Sequence, residues 1–146
     1  ALTAKLWLIY QDEDGDWQAK VVGDVGGEGA LPMGLSLSAD GSRLWVSSTG
    51  DRKARLFDVS NPTEPQQLFE SDLAAPQVGQ SFDGARVYFA STAFEGYRWD
   101  GDLLEKAFSI DFSKESLGQP SQTHFGSALI YGHSQAALAP RSPTQQ

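Results

Sequence analysis

Two copies of one pattern constrain this chain more than anything else in it. Residues 35–49 read LSLSADGSRLWVSST, and residues 79–92 read GQSFDGARVYFAST. Each is a strand, an Asp-Gly corner and a second strand, and the corner residues Asp40 and Asp83 lie 43 positions apart. At that offset Arg43 falls on Arg86, Ser48 on Ser91 and Thr49 on Thr92. A repeat of about 40–45 residues made of short strands is the sequence signature of a β-propeller blade. The predicted fold class is all-β, with about two to three propeller blades and next to no helix.

A closed propeller needs at least roughly four blades of four strands, more than 146 residues readily supply. Blades left open would present bare sheet edges, which proteins avoid. The expectation is a ring completed by another segment or another chain. A net charge of −8 and a pI near 4.6 argue against a nucleic-acid or anionic-membrane partner, since those need clustered Lys and Arg. No run of about eighteen apolar residues suggests a membrane span. Residues 1–10, ALTAKLWLIY, lack the basic-then-apolar order of a signal peptide; a mature chain and an internal segment would both read this way. With no cysteine, disulfides, thiolate ligands and a Cys nucleophile are excluded within these residues.

Along the chain, residues 5–25 read as a hairpin: KLWLIY, the acidic turn QDEDGD, then a valine-rich run. Residues 23–29, GDVGGEG, read as a loop; Gly26, Gly27 and Gly29 lack the Gly-Lys-Ser/Thr that would make a phosphate loop. The first blade is placed at 31–70, with strands at 34–38, 43–47, 55–59 and a short outer one at 66–69. Leu44 and Val46 fall on one face of its second strand and Trp45 on the other, which suits a strand sandwiched between sheets. The second blade is placed at 76–113, with strands at 78–81 and 86–90 and a return strand at 107–112. That return strand sets Asp111 on Asp58 at an offset of 53, about ten residues longer than the period. Residues 94–102, FEGYRWDGD, then become an inserted loop, a position where propellers often carry function. A final strand is expected over 124–132 and a mobile tail over 134–146.

Four stretches, in order, resemble the C-terminal portion of the selenium-binding protein family, whose enzymatically defined members are methanethiol oxidases. They are LWLIYQDEDGDWQAK at 6–20, LSADGSRLWVSS followed by RLFDVSNPTEP within 36–65, QSFDGARVYFAST at 80–92, and IDFSKESLGQPSQTHF from Ile110. The last, DFSKESLG with a histidine shortly after it, is the most specific. The resemblance implies a seven-bladed propeller of which this chain supplies the last third, together with copper. It also implies oxidation of methanethiol by O2 and water to formaldehyde, hydrogen sulfide and hydrogen peroxide. Two departures stand out. The family tail His-x-x-Arg-Tyr-Pro-Gly-Gly-Asp-Cys is replaced here by HFGSALIYGHSQ, and the spacing from Lys114 to His124 is one residue longer.

His124 is the predicted metal ligand, because imidazole suits copper at neutral pH and a loop leaving a propeller strand can aim it at the central channel. The alternative is a packing histidine bonded to backbone. His133, which leads into the tail, is a weaker ligand candidate. Two histidines do not complete a usual copper site, so further ligands are expected outside this chain. Asp12, Glu13, Asp14 and Asp16 around Gly15 invite calcium, but they lack the Glu of an EF-hand loop and read equally as an acidic turn. Asp58 and Asp111 read as turn-formers. Glu95, Tyr97, Arg98, Trp99 and Asp102 either line a pocket mouth or bury their aromatics against a neighbouring blade. No Ser-His-Asp set stands out, and no catalytic residue is assigned. Two function classes follow: a copper-dependent oxidase acting on a small sulfur compound, and a non-enzymatic propeller whose face binds a protein or small molecule. A periplasmic or otherwise exported location accompanies the first, with the cytoplasm as the alternative.

Overall fold

The structure, a computed structural model, describes residues 4–111. Ten strands fill it: β1 (Lys5–Gln11), β2 (Trp17–Asp24), β3 (Pro32–Leu37), β4 (Arg43–Ser48), β5 (Lys53–Asp58), β6 (Gln66–Asp72), β7 (Gln77–Gln80), β8 (Arg86–Ala90), β9 (Ala93–Trp99) and β10 (Leu104–Asp111). They form a two-stranded hairpin, β1-β2, and two four-stranded antiparallel meanders, β3-β4-β5-β6 and β7-β8-β9-β10. The final strand expected over 124–132, the tail over 134–146, and both histidines lie outside the described residues. No helix among the described residues is long and apolar enough to cross a membrane.

The Asp-Gly corners are the same object built twice. Ser38 N donates to Arg43 O at 2.8 Å, and Ser81 N to Arg86 O at 2.9 Å. Gly41 N reaches Ser38 O at 2.9 Å, as Gly84 N reaches Ser81 O at 3.0 Å. The Asp carboxylates accept from Ser42 N and Ala85 N, both at 3.0 Å. Each corner turns through a left-handed residue, Gly41 at φ 73° and Gly84 at φ 70°, a conformation that costs a side chain but not a glycine. Five backbone groups at each corner are thereby satisfied locally.

The second meander departs from the sequence reading. Residues 94–102 are not an inserted loop: Ala93–Trp99 is the third strand, β9. The 107–112 run lies in the fourth strand, β10, so Asp111 corresponds to the end of β6 rather than to Asp58. The register shows it. Ala93 pairs with Asp111 as Lys53 pairs with Asp72 and as Lys5 pairs with Asp24. The second-to-third connection is in fact shorter in the second sheet: Ser47 pairs with Ala54, but Ala90 pairs with Phe94.

The two middle strands of the first sheet, β4 and β5, are buried on both faces. Val46 and Phe57 look toward the hairpin, sharing a core with Leu6, Val25 and Ala30. Trp45, Ala54 and Leu56 look toward the second sheet, with Val78, Val87, Phe89 and Tyr97. That second interface is a wedge. Near the inner strands it is thin: a Cβ on Gly34 would lie 2.5 Å from Ser47 Oγ and 2.8 Å from the Val78 backbone nitrogen. Farther out it is filled by rings, with Trp45 edge-on to Phe69 (6.0 Å), Phe89 (6.2 Å) and Trp99 (5.4 Å between centroids). Such contacts add about 0.5–1.5 kcal/mol per pair beyond area burial.

Both ends of the wedge are therefore sensitive. Trp45→Ala is expected to lower the unfolding free energy by about 3–5 kcal/mol through the cavity it leaves. Gly34→Val is expected to cost about 1–3 kcal/mol by forcing the inner strands apart. Urea unfolding of each variant checks both, and an unchanged midpoint for either would contradict the wedge.

Candidate functional site

A cleft among the described residues opens between the two meanders at the end carrying the Asp-Gly corners. It encloses about 490 Å³. Trp45, Leu56 and Trp99 form its apolar floor, Gln80 its inner wall, and Ser38, Asp40, Arg43, Phe82 and Asp83 its rim. Gln80 is fixed: its Nε2 donates to Ser36 O across the interface at 2.7 Å. Arg43 is engaged by Asp58 at 2.7 Å.

The rim acids are spent on structure. Asp40 accepts from Ser38 Oγ (2.6 Å), Ser42 N (3.0 Å) and Ser42 Oγ (2.8 Å), and these bonds lower its pKa to about 2. Asp83 is held below the usual carboxylate value by Ser81 Oγ and Ala85 N. Asp58 is held down by Ser60 N first and by the Arg43 charge as well. Carboxylates stabilised this way do not serve as general acids near neutrality. The cleft suits a small apolar group or side chain, with Phe82 exposed at its lip.

The other sequence candidates fall into place individually. Asp12 Oδ1 accepts Asp14 N (3.1 Å) and Asp16 N (2.9 Å), and its Oδ2 accepts Gln18 Nε2 (2.8 Å). The acidic run is thus a turn organised by one carboxylate. Glu13, Asp14 and Asp16 do not join it in a cluster, and no three His, Asp or Glu side chains among the described residues converge as metal ligands. The described residues do not fit a copper site, so no chemical step is drawn through copper. Tyr97 and Trp99 bury their rings against the first sheet, Arg98 reaches Glu105 at 3.9 Å on the surface, and Asp102 sits in the Asp100 turn.

Glu95 and Arg55, which the sequence reading passed over as a pair, hold matching places. Arg55 pairs across from Val46 and Glu95 from Phe89, and those partners are 43 residues apart. Arg55, almost fully buried, bonds Glu70 Oε2 at 2.9 Å, Ser48 Oγ at 3.4 Å and Asp51. Glu95 takes bonds from Tyr97 Oη at 3.0 Å and from Lys106 Nζ. Burial pushes Glu95 up, but the bonds from Lys106 and Tyr97 outweigh it and hold it down. Burial and the Glu95 bond raise Tyr97, while the Glu95 bond raises Lys106. All three keep their ordinary charge states through neutral pH. The missed signal was an isolated charge inside an apolar strand, ARLF and AFEGY.

Two stacked four-strand meanders beside a further hairpin are part of a β-propeller. Comparison with known proteins gives the family. No protein-family model matches the chain. It is 41% identical over 149 residues to the methanethiol oxidase of Ruegeria pomeroyi, covering 90% of this chain and 34% of that protein. It is 36% identical over 145 residues to the methanethiol oxidase of a Hyphomicrobium species, covering 87% and 33%. The chain belongs to the methanethiol oxidase family and spans about a third of the length of these relatives. In fold it resembles a selenium-binding protein of Sulfolobus tokodaii (TM-score 0.61, 22% identity, 73% of this chain and 34% of that one). It likewise resembles the periplasmic gluconolactonase of Pseudomonas aeruginosa (TM-score 0.64, 19% identity, 83% and 36%).

The bonded carboxylates carry a pH signature. A group whose folded pKa lies below 3.8 contributes stability that is complete above the unfolded value and is lost as pH falls through the folded one. For Asp40 that window runs from about pH 4 down to about 2. Asp40→Asn is expected to lower the urea midpoint at pH 7 and to leave it nearly unchanged at pH 2. An equal loss at both pH values would show that the Asp40 charge contributes nothing.

Proposed function

We propose that this chain contributes about a third of a methanethiol-oxidising β-propeller, and that the complete protein oxidises methanethiol with O2 and water to formaldehyde, hydrogen sulfide and hydrogen peroxide. The observation that carries this reading is the 41% identity to a methanethiol oxidase across nine-tenths of the chain. Blade arithmetic supports the size of the assembly. Two and a half blades cover 34–36% of the two propeller-like chains, which corresponds to about seven blades in all. The described residues serve as scaffold: two inter-sheet cores, locked corners and a cleft with an aromatic floor.

In this proposal the redox group is copper, and His124 is the ligand this chain gives it. The support is chemical and comes from the sequence. His124 follows DFSKESLG, the stretch most specific to the family, and imidazole is a ligand suited to copper. His133 is the second histidine available. The remaining ligands come from the rest of the propeller. A periplasmic or otherwise exported location belongs to the same proposal.

The test is made on the complete protein. His124→Ala is expected to reduce bound copper to substoichiometric levels and to lower the rate of hydrogen sulfide and hydrogen peroxide release from methanethiol by at least about 100-fold, while His133→Ala retains both. Wild-type protein that releases neither product from methanethiol would overturn the function. A His124→Ala variant with full copper content would overturn the ligand.

A further inference from the structure

Among the described residues the first full sheet leaves one apolar surface bare, and the internal repeat identifies what covers it. On β3 the outward side chains are Met33, Leu35 and Leu37, which are 60%, 64% and 50% exposed. Their counterparts one period later are Pro76, just before β7, and Val78 and Gln80 on it. Val78 and Gln80 are each only 5% exposed. The register confirms the match: Leu35 pairs with Val46 and Leu37 with Leu44, as Val78 pairs with Phe89 and Gln80 with Val87. What buries Val78 and Gln80 is the inner half of the preceding sheet, with Gly34 close against the Val78 backbone and Ser36 receiving the Gln80 amide.

The sheet preceding β3 has no inner half among the described residues. Its β1-β2 hairpin matches β5-β6, the outer half of a blade. Lys5 opposes Asp24 and bonds it, as Lys53 opposes Asp72 and bonds it at 2.7 Å. The hairpin runs directly into β3 through buried Val25 and Ala30, as β6 runs into β7 through buried Leu73 and Ala75. Among the described residues, strand β1 accordingly has β2 on one side and no strand on the other.

We propose that a second β-hairpin, from a part of the same polypeptide outside these 146 residues, pairs with the free edge of β1 and lies over Met33, Leu35 and Leu37. Its innermost strand carries small residues, glycine or serine, at the alternating positions that face Leu35 and Leu37. Only small side chains allow the backbone approach that Gly34 and Ser36 allow toward β7. The length of the relatives supplies the source, since this chain spans 34% of one of them. The inference rests on the propeller reading and sharpens it: the completing element is half a blade, paired to the hairpin β1-β2.

A photo-crosslinking residue, p-benzoylphenylalanine, placed at position 35 of the complete protein tests this, with the same residue at exposed Glu64 as control. Irradiation is expected to join position 35 to a peptide of the same chain containing a strand with alternating Gly or Ser, with no crosslink from position 64. A crosslinked species of twice the chain mass, a crosslink to a different protein, a same-chain peptide lacking such a strand, or no crosslink would each overturn the proposal. The readout does not involve catalysis. An intramolecular crosslink in a protein inert toward methanethiol would overturn the function and leave this inference standing.

Discussion

Every sheet in this structure must bury two faces, and the stacking that achieves this tapers. At the inner strands the spacer between sheets is a glycine and a serine, Gly34 and Ser36; at the outer strands it is a set of interlocked rings, Trp45, Phe69, Phe89 and Trp99. Small side chains on one side and large ones on the other rotate each sheet relative to the next. A fan of sheets follows from side-chain volume, and a fan continued far enough is a ring. The Asp-Gly corners then have a simple requirement, to turn the chain tightly without leaving unpaired backbone groups in the narrow gap between sheets.

The charged residues inside the stack show that this packing fixes positions more strictly than identities. Arg55 and Glu95 stand at matching points of consecutive sheets with opposite sign, and each takes its countercharge from the fourth strand of its own sheet, Glu70 in one case and Lys106 in the other. Removing one member of such a pair leaves a poorly solvated charge, which is worse than never having had the pair. The two sheets have met the same requirement with inverted charges. The exchange carries no sign of catalytic use, because Glu95, Tyr97 and Lys106 stabilise one another in their neutral-pH charge states.

The legible part of the fold was the part with local chemistry. Asp-Gly between alternating strands and a 43-residue period were enough for blades, and Trp45 between Leu44 and Val46 was enough for a strand buried on both sides. The third strand of the second sheet was misread because its residues, AFEGYRW, share no side chain with KARLFD in register, while the period contracts at Ser91–Thr92. Matching Asp111 to Asp58 then followed from a resemblance between DVS and DFS that the register does not honour. A better marker was present, the acid that ends each fourth strand: Asp24, Asp72 and Asp111. It was hidden because its function, closing a strand end across from the start of the third strand, is a property of pairing and leaves no motif.

The division of labour within the site follows from the same economy. Asp12, Asp40, Asp58, Asp83 and Asp100 each accept a backbone N–H two residues ahead, so their charge holds a turn and is held by it. A carboxylate used in this way is a poor metal ligand, since coordination would have to displace the bonds that keep the corner closed. Five of the chain's nineteen acidic residues are architectural in this sense, and the acidic turn at Asp12 is the clearest case. In the proposed reading, metal chemistry calls for donors that are not already committed to a turn, and the imidazoles of His124 and His133, outside the described residues, are offered by the sequence.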